Sequence, residues 1–158
     1  MSCASAKPGG SLNPYLPLAV VRAEPATSVV PPDATLIRQV GAEGFENITG
    51  WQGAFFGHVY GTQLSIDEVF AFHDTELTKL GWKPDLKPIL SSGELRGWGW
   101  CKPRMFFRLA IFDPAEYDRT VVLDGAAYRV VFDARIDGTL QPCPYVPRPL
   151  TTLPPPRP

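Results

Sequence analysis

The sequence predicts an α+β domain: a single antiparallel β-sheet of four to five strands with one α-helix packed across one face, in the order β-β-α-β-β-β. Three observations carry that expectation. Residues 65–80 repeat apolar side chains at three- and four-residue steps, the stretches on either side alternate with a period of two, and one helix cannot bury both faces of a sheet. Of the 18 prolines among 158 residues, six lie in 1–33 and eight in 142–158. Proline is kept out of helix interiors and central strands. The folding unit is therefore read as 34–138. Residues 1–33 read as a flexible Pro/Ser/Ala-rich leader that adds little to stability, and 139–158 as a disordered Pro-rich tail of polyproline II character. A unit of that length supports one core and excludes a large multi-domain enzyme.

Taken in chain order, Ala34–Gly41 is a candidate first strand. Ala54–Leu64, aromatic-rich and carrying Gly57 and Gly61, reads as a strand that feeds the helix. Ser65 and Glu68 stand three apart, as a capping box requires: the serine oxygen accepts from the third helical amide and the glutamate reaches back to the serine amide. Ile66, Val69, Phe70, His73, Leu77 and Leu80 then form one stripe, with Phe70 and Leu77 expected against the sheet. Gly81 supplies a left-handed stop, and Trp82 can fold back on the last turn. A polar loop containing Pro84, Pro88 and Ser91-Ser92-Gly93 follows. Glu94–Lys102 and Met105–Asp113 are strands joined at Pro103-Arg104. Asp124-Gly125 marks another turn, and 128–136 alternates Tyr128, Val130, Phe132, Ala134 and Ile136 with Arg129, Val131, Asp133 and Arg135, a strand with its polar side outward.

Fifteen Lys+Arg against 16 Asp+Glu leave a net charge of −1, without the basic excess that a phosphate backbone would select, so no nucleic-acid partner is expected. No apolar run reaches the 18 residues of a spanning helix. The chain lacks the Gly-x-Ser-x-Gly elbow, the phosphate-cradling glycine loop and the dinucleotide fingerprint. Asn47-Ile48-Thr49 matches a glycosylation sequon, but a three-residue match arises readily by chance.

The candidate binding residues are Trp98, Trp100, His58 and His73. His58 lies on the strand before the helix and His73 on the helix stripe, with Asp67 or Asp74 as a possible carboxylate for a metal or an acid/base pair. The spacing fits no familiar metal arrangement, and a histidine in an apolar stripe is ordinarily a core residue whose nitrogen finds a backbone carbonyl. Trp98 and Trp100 share one strand face with Arg96 and Lys102. Exposed, they would make a stacking platform for a sugar, a head group or a peptide; inward, they are core. The opposite face offers only Leu95, Gly97, Gly99 and Cys101, too little apolar volume to lie under a helix, so inward is the favoured orientation. No cofactor, metal or catalytic residue is expected.

The three cysteines, Cys3, Cys101 and Cys143, lack metal-ligand spacing. Met1-Ser2-Cys3-Ala4-Ser5 reads as the end of a lipidation signal whose apolar segment would lie upstream of Met1; the other reading is an ordinary cytoplasmic start with a chance cysteine. Setting Cys3 aside leaves Cys101 and Cys143 as a candidate disulfide in an oxidising compartment.

Pro31-Pro32-Asp33-Ala34, then Val69, Phe72, His73, Leu77, Gly81 and Trp82, then Trp100 and Lys102 resemble a pattern found in small extracytoplasmic bacterial lipoprotein domains: a strand, a short helix reading Val-x-x-Phe-Tyr-x-x-x-Leu-x-x-x-Gly-Trp, and three further strands. The likeness spans about 100 residues. His73 stands where the pattern has a tyrosine. The resemblance implies anchoring outside the cytoplasm without implying a chemistry. Together these observations lead to the expectation of a non-enzymatic, envelope-tethered interaction or structural domain. Its partner would be another envelope protein, and its membrane contact would come only through a lipid at Cys3. A carbohydrate- or small-ligand-binding domain using Trp98 and Trp100, and a small enzyme or metal site around His58 and His73, are the alternatives.

Overall fold

A computed structural model describes residues 12–85, 96–117 and 127–144. Expectations for 1–11, with Cys3, for the loop at 86–95, for the Asp124-Gly125 turn and for the tail from 145 onward lie outside the described residues.

The fold is an antiparallel sheet with one long helix. Its strands are β1 (Thr35–Ala42), β4 (Phe55–Thr62), β5 (Lys83–Asp85), β6 (Arg96–Lys102), β7 (Met105–Phe112) and β8 (Val130–Gly138), and a separate hairpin comprises β2 (Phe45–Asn47) and β3 (Gly50–Gln52). The sheet order is β1-β4-β8-β7-β6-β5, six strands rather than four to five. The extra strand is β5, whose sequence Lys-Pro-Asp reads as loop. It pairs only with β6, so Pro84 sits on an edge, where a missing amide is tolerated.

The long helix α2 (Ile66–Lys79) is defined by its ends. Ser65 Oγ accepts from the Glu68 amide at 3.3 Å while the Glu68 carboxylate accepts from the Ser65 amide at 2.7 Å. Gly81, at φ 81°, closes it, and the amides of Gly81 and Trp82 return to the carbonyls of Thr78 and Leu77. The fully buried stripe is Val69, His73 and Leu77, one residue in four. Phe70 is only partly buried, because the helix is turned so that its ring stacks beside Trp98 and Trp100 at 4.8 and 5.9 Å.

Residues 12–33 are the main correction. The described part of the expected leader forms α1 (Leu18–Arg22) and a 3₁₀ turn at Pro25–Ser28, and Val21 and Ala26 are buried in the core. A five-residue helix is too short to show a period, and Pro17 and Pro25 punctuate it from outside, at the cap and at the first position of the next turn. On this front face Val21 and α2 cover Trp100, Phe107, Leu109, Phe132 and Ile136. The back face holds a smaller cluster of Val59, Val131 and Tyr117, the last from α3 (Pro114–Tyr117).

Candidate functional site

The register fixes where each candidate residue lies. Trp98 and Trp100 pair with Leu109 and Phe107, so both belong to the front face. Trp100 is buried and its indole Nε1 donates to Asp74 Oδ1 at 2.9 Å. Trp98 is half-buried against Phe70. The pair is therefore packing between sheet and helix, and Asp74, one of the two carboxylates considered for His73, accepts the indole hydrogen bond instead.

His73 is wholly buried among Phe72, Phe107 and Phe132. Its Nδ1 lies 2.8 Å from the Val69 carbonyl oxygen, so Nδ1 carries a hydrogen and donates it to its own helix. Desolvation lowers its pKa to about 4, against the carbonyls of Val69 and Val29, which favour the protonated form. His58 is half-buried between Phe56 and Tyr60 on the same strand, at 5.1 and 5.7 Å, and burial lowers its pKa too. The two rings have separate aromatic neighbours. Among the described residues no group of three or more His, Cys, Asp or Glu side chains comes together to hold a metal.

Cys101 and Cys143 are joined by a disulfide, with Cα atoms 5.5 Å apart. Cys101 pairs with Phe106, and Phe106 with Asp137, in one row across the back face. The chain leaving Gly138 therefore crosses β7 to reach β6, a shift of about 10 Å at two strand spacings. On this face, which offers little apolar volume on β6, Gly99 and Cys101 are both buried.

The back face also carries charge that the alternation pattern marks as outward. Arg108 stands directly opposite Arg135 in the register, and Arg135 is 3.0 Å from Asp137. Asp133 is raised from its ordinary pKa by burial, which outweighs the nearby Arg135, Arg108 and Arg38. Signs alternate along β8, so the strip is largely self-compensating.

Among the described residues an open concavity lies at the end of the sheet where α2 begins. A cleft of about 340 Å³ is lined by Ile66, Ile111, Phe112, Asp113, Tyr128 and Arg129. A second of about 290 Å³ shares Ile66 and Arg129 and adds Ser65, Asp67 and Arg96. An ion pair at 3.3 Å links Arg96 to Asp67 across it. Ser65 and Arg129 hold the Glu68 carboxyl below its usual range, chiefly through the Ser65 amide. Apolar walls with two guanidiniums and two carboxylates at the rim suit a charged polypeptide or polar ligand. The sequence gives little sign of this site: its residues come from four separate segments that meet only once the sheet is ordered. Comparison of the chain with protein-family models, with curated proteins and with solved structures finds no match.

Proposed function

We propose that the domain is a non-catalytic extracytoplasmic module, tethered to the cell envelope through its N-terminal segment, that presents the cleft lined by Arg96, Arg129, Asp67 and Asp113 to a partner protein. The observation that carries the reading is the Cys101–Cys143 bond, since a structural disulfide persists in oxidising compartments and is reduced in the cytosol. The histidines support the non-catalytic part: His73 spends its Nδ1 proton inside the core and His58 is packed between two rings. The paired indoles give little support to a sugar platform, because Trp100 lies under the helix with its Nε1 already bonded.

The test is thiol trapping in intact cells of the source organism. A maleimide reagent of high mass added before any reduction should label one cysteine at most, with two more labelled after reduction, and the protein should fractionate with the envelope. Three reactive thiols and recovery in the cytosolic fraction would sink the reading.

A further inference from the structure

We infer that one end of the sheet rests on a lipid bilayer, an inference that rests on the tethered reading above. Six large apolar residues stand exposed among the described residues, and four gather at this end: Leu12 (91% exposed), Phe45 (54%), Ile48 (104%) and Leu140 (52%). The fold brings them together from three directions. The β2–β3 hairpin projects from between Ala42 and Phe55, where β1 and β4 meet, and carries Ile48 in its turn. The Arg104 guanidinium in the β6–β7 turn donates to the Pro14 carbonyl at 2.6 Å, which holds the segment after Leu12 at the same end. The Gly138 amide donates to the Ala54 carbonyl at 2.8 Å and the Thr139 amide to the Arg104 carbonyl at 2.9 Å, which sets Leu140 beside both. Leu36, also exposed, pairs with Tyr60 toward the opposite end, and Val20 stands on the α1 helix.

The length of the preceding chain and the charge decide the occupant. Eight residues lie between Cys3 and Leu12, a reach of at most about 30 Å at full extension. An acyl group on Cys3 would therefore keep this end near the bilayer and leave the arginine-lined cleft at the other end of the strands facing away. A single acyl chain binds a membrane only marginally, so a second contact is needed, and side chains that enter the head-group boundary supply one. A net charge of −1 gives no pull toward anionic lipids. At the apolar end Glu43 and Glu46 stand beside Arg104 with no cationic excess, so the contact is driven by apolar burial.

Three cysteines are present, and with Cys101 and Cys143 bonded, Cys3 is the remaining thiol of the oxidised full chain. It can be coupled to a maleimide-bearing phospholipid in phosphatidylcholine vesicles. An Ile48→Trp variant then reports the hairpin tip, a site whose full exposure leaves folding undisturbed. Its additional emission should fall about two-fold with acyl-chain-brominated lipid, as expected for a side chain at the acyl boundary. Without the coupled lipid, Phe45→Ser with Ile48→Ser should lower vesicle flotation about tenfold. A tip tryptophan that bromine does not quench and iodide quenches freely overturns the inference. A dimer in sedimentation that depends on Phe45 and Ile48 and shows no bromine quenching overturns it in favour of a second copy of the chain. The coupling is chemical, so these results do not depend on how the cell treats Cys3, and failure of the tethered reading appears separately in the thiol-trapping experiment.

Discussion

The Glu24 carboxylate lies 2.8 Å from the Lys102 ammonium, joining the N-terminal segment to the end of β6 across 78 positions of sequence. The same oxygen accepts from the Trp82 indole at 3.3 Å, and the Lys102 ammonium lies 5.2 Å from the centre of that ring. Both charged groups are largely covered. Glu24→Ala would strip a partly buried cation of its partner, and the expected loss is about 1–3 kcal/mol in urea unfolding, below the cost of breaking a fully buried pair. Deleting residues 1–28 also uncovers the face beneath Val21 and Ala26, and a cooperative transition should no longer be seen. An unchanged urea midpoint for the truncated chain would contradict this packing.

The disulfide closes a loop with a sequence separation of 42. For a loop of that size the chain-entropy model gives about 4 kcal/mol of stabilisation relative to the reduced form. Cys143→Ser should show most of that loss under oxidising conditions and almost none when both proteins are measured with excess dithiol. If the wild type and the variant melt together without reductant, the bond adds nothing to the fold.

Acid should destabilise the domain through His73. In the unfolded chain this ring titrates near 6.5, and in the fold near 4. Above pH 6.5 it is neutral in both states and its contribution is fully present; as pH falls toward 4 the unfolded state takes up a proton that the folded state refuses, and stability drops. At 1.36 kcal/mol per unit the total is about 3 kcal/mol. Asp133 works in the opposite direction, since burial raises its pKa and its protonation at low pH favours the fold. His73→Leu should flatten the pH dependence of unfolding free energy between pH 6.5 and 4, whatever its effect on absolute stability. Equal slopes for variant and wild type would mean that the ring takes a proton without leaving the core.

The helix and the central strands could be read from the chain because each is specified locally. The Ser65 and Glu68 pair, the glycine at 81 and the alternation at 128–136 act within a few residues. What escaped notice is fixed by distant partners. Val21 lies in a helix of five residues that exists because the front face needs a cover. Pro84 forbids a central strand and permits an edge, and only the register with Trp100 selects the edge. Phe70 and Val69 both fit a three-or-four repeat, and the rotation that buries Val69 is set by the bulk of Trp98 and Trp100. The cleft was the least legible part, since Arg96, Arg129 and Asp113 carry no motif and meet only across strand ends.

Asp74 is the test of how the helix seats on the sheet. Its Oδ1 accepts a hydrogen bond from the Trp100 Nε1–H at 2.9 Å, and Trp100 is 1% exposed. Without that acceptor the indole N–H is stranded beneath the helix, and an unsatisfied buried donor costs about 1–3 kcal/mol. Asp74→Ala should lower stability by that amount, while Asp74→Asn keeps a carbonyl oxygen in place and should recover most of it. The pairing is one of position rather than charge, so the recovery should not depend on ionic strength. Leu77→Ala, fully buried one turn along the stripe from His73, should cost about 2–5 kcal/mol in the same measurement. Should Asp74→Ala prove neutral while Leu77→Ala is costly, the helix is docked as described but the Trp100 indole finds its partner elsewhere. A neutral Leu77→Ala would mean that the buried stripe itself is wrongly assigned.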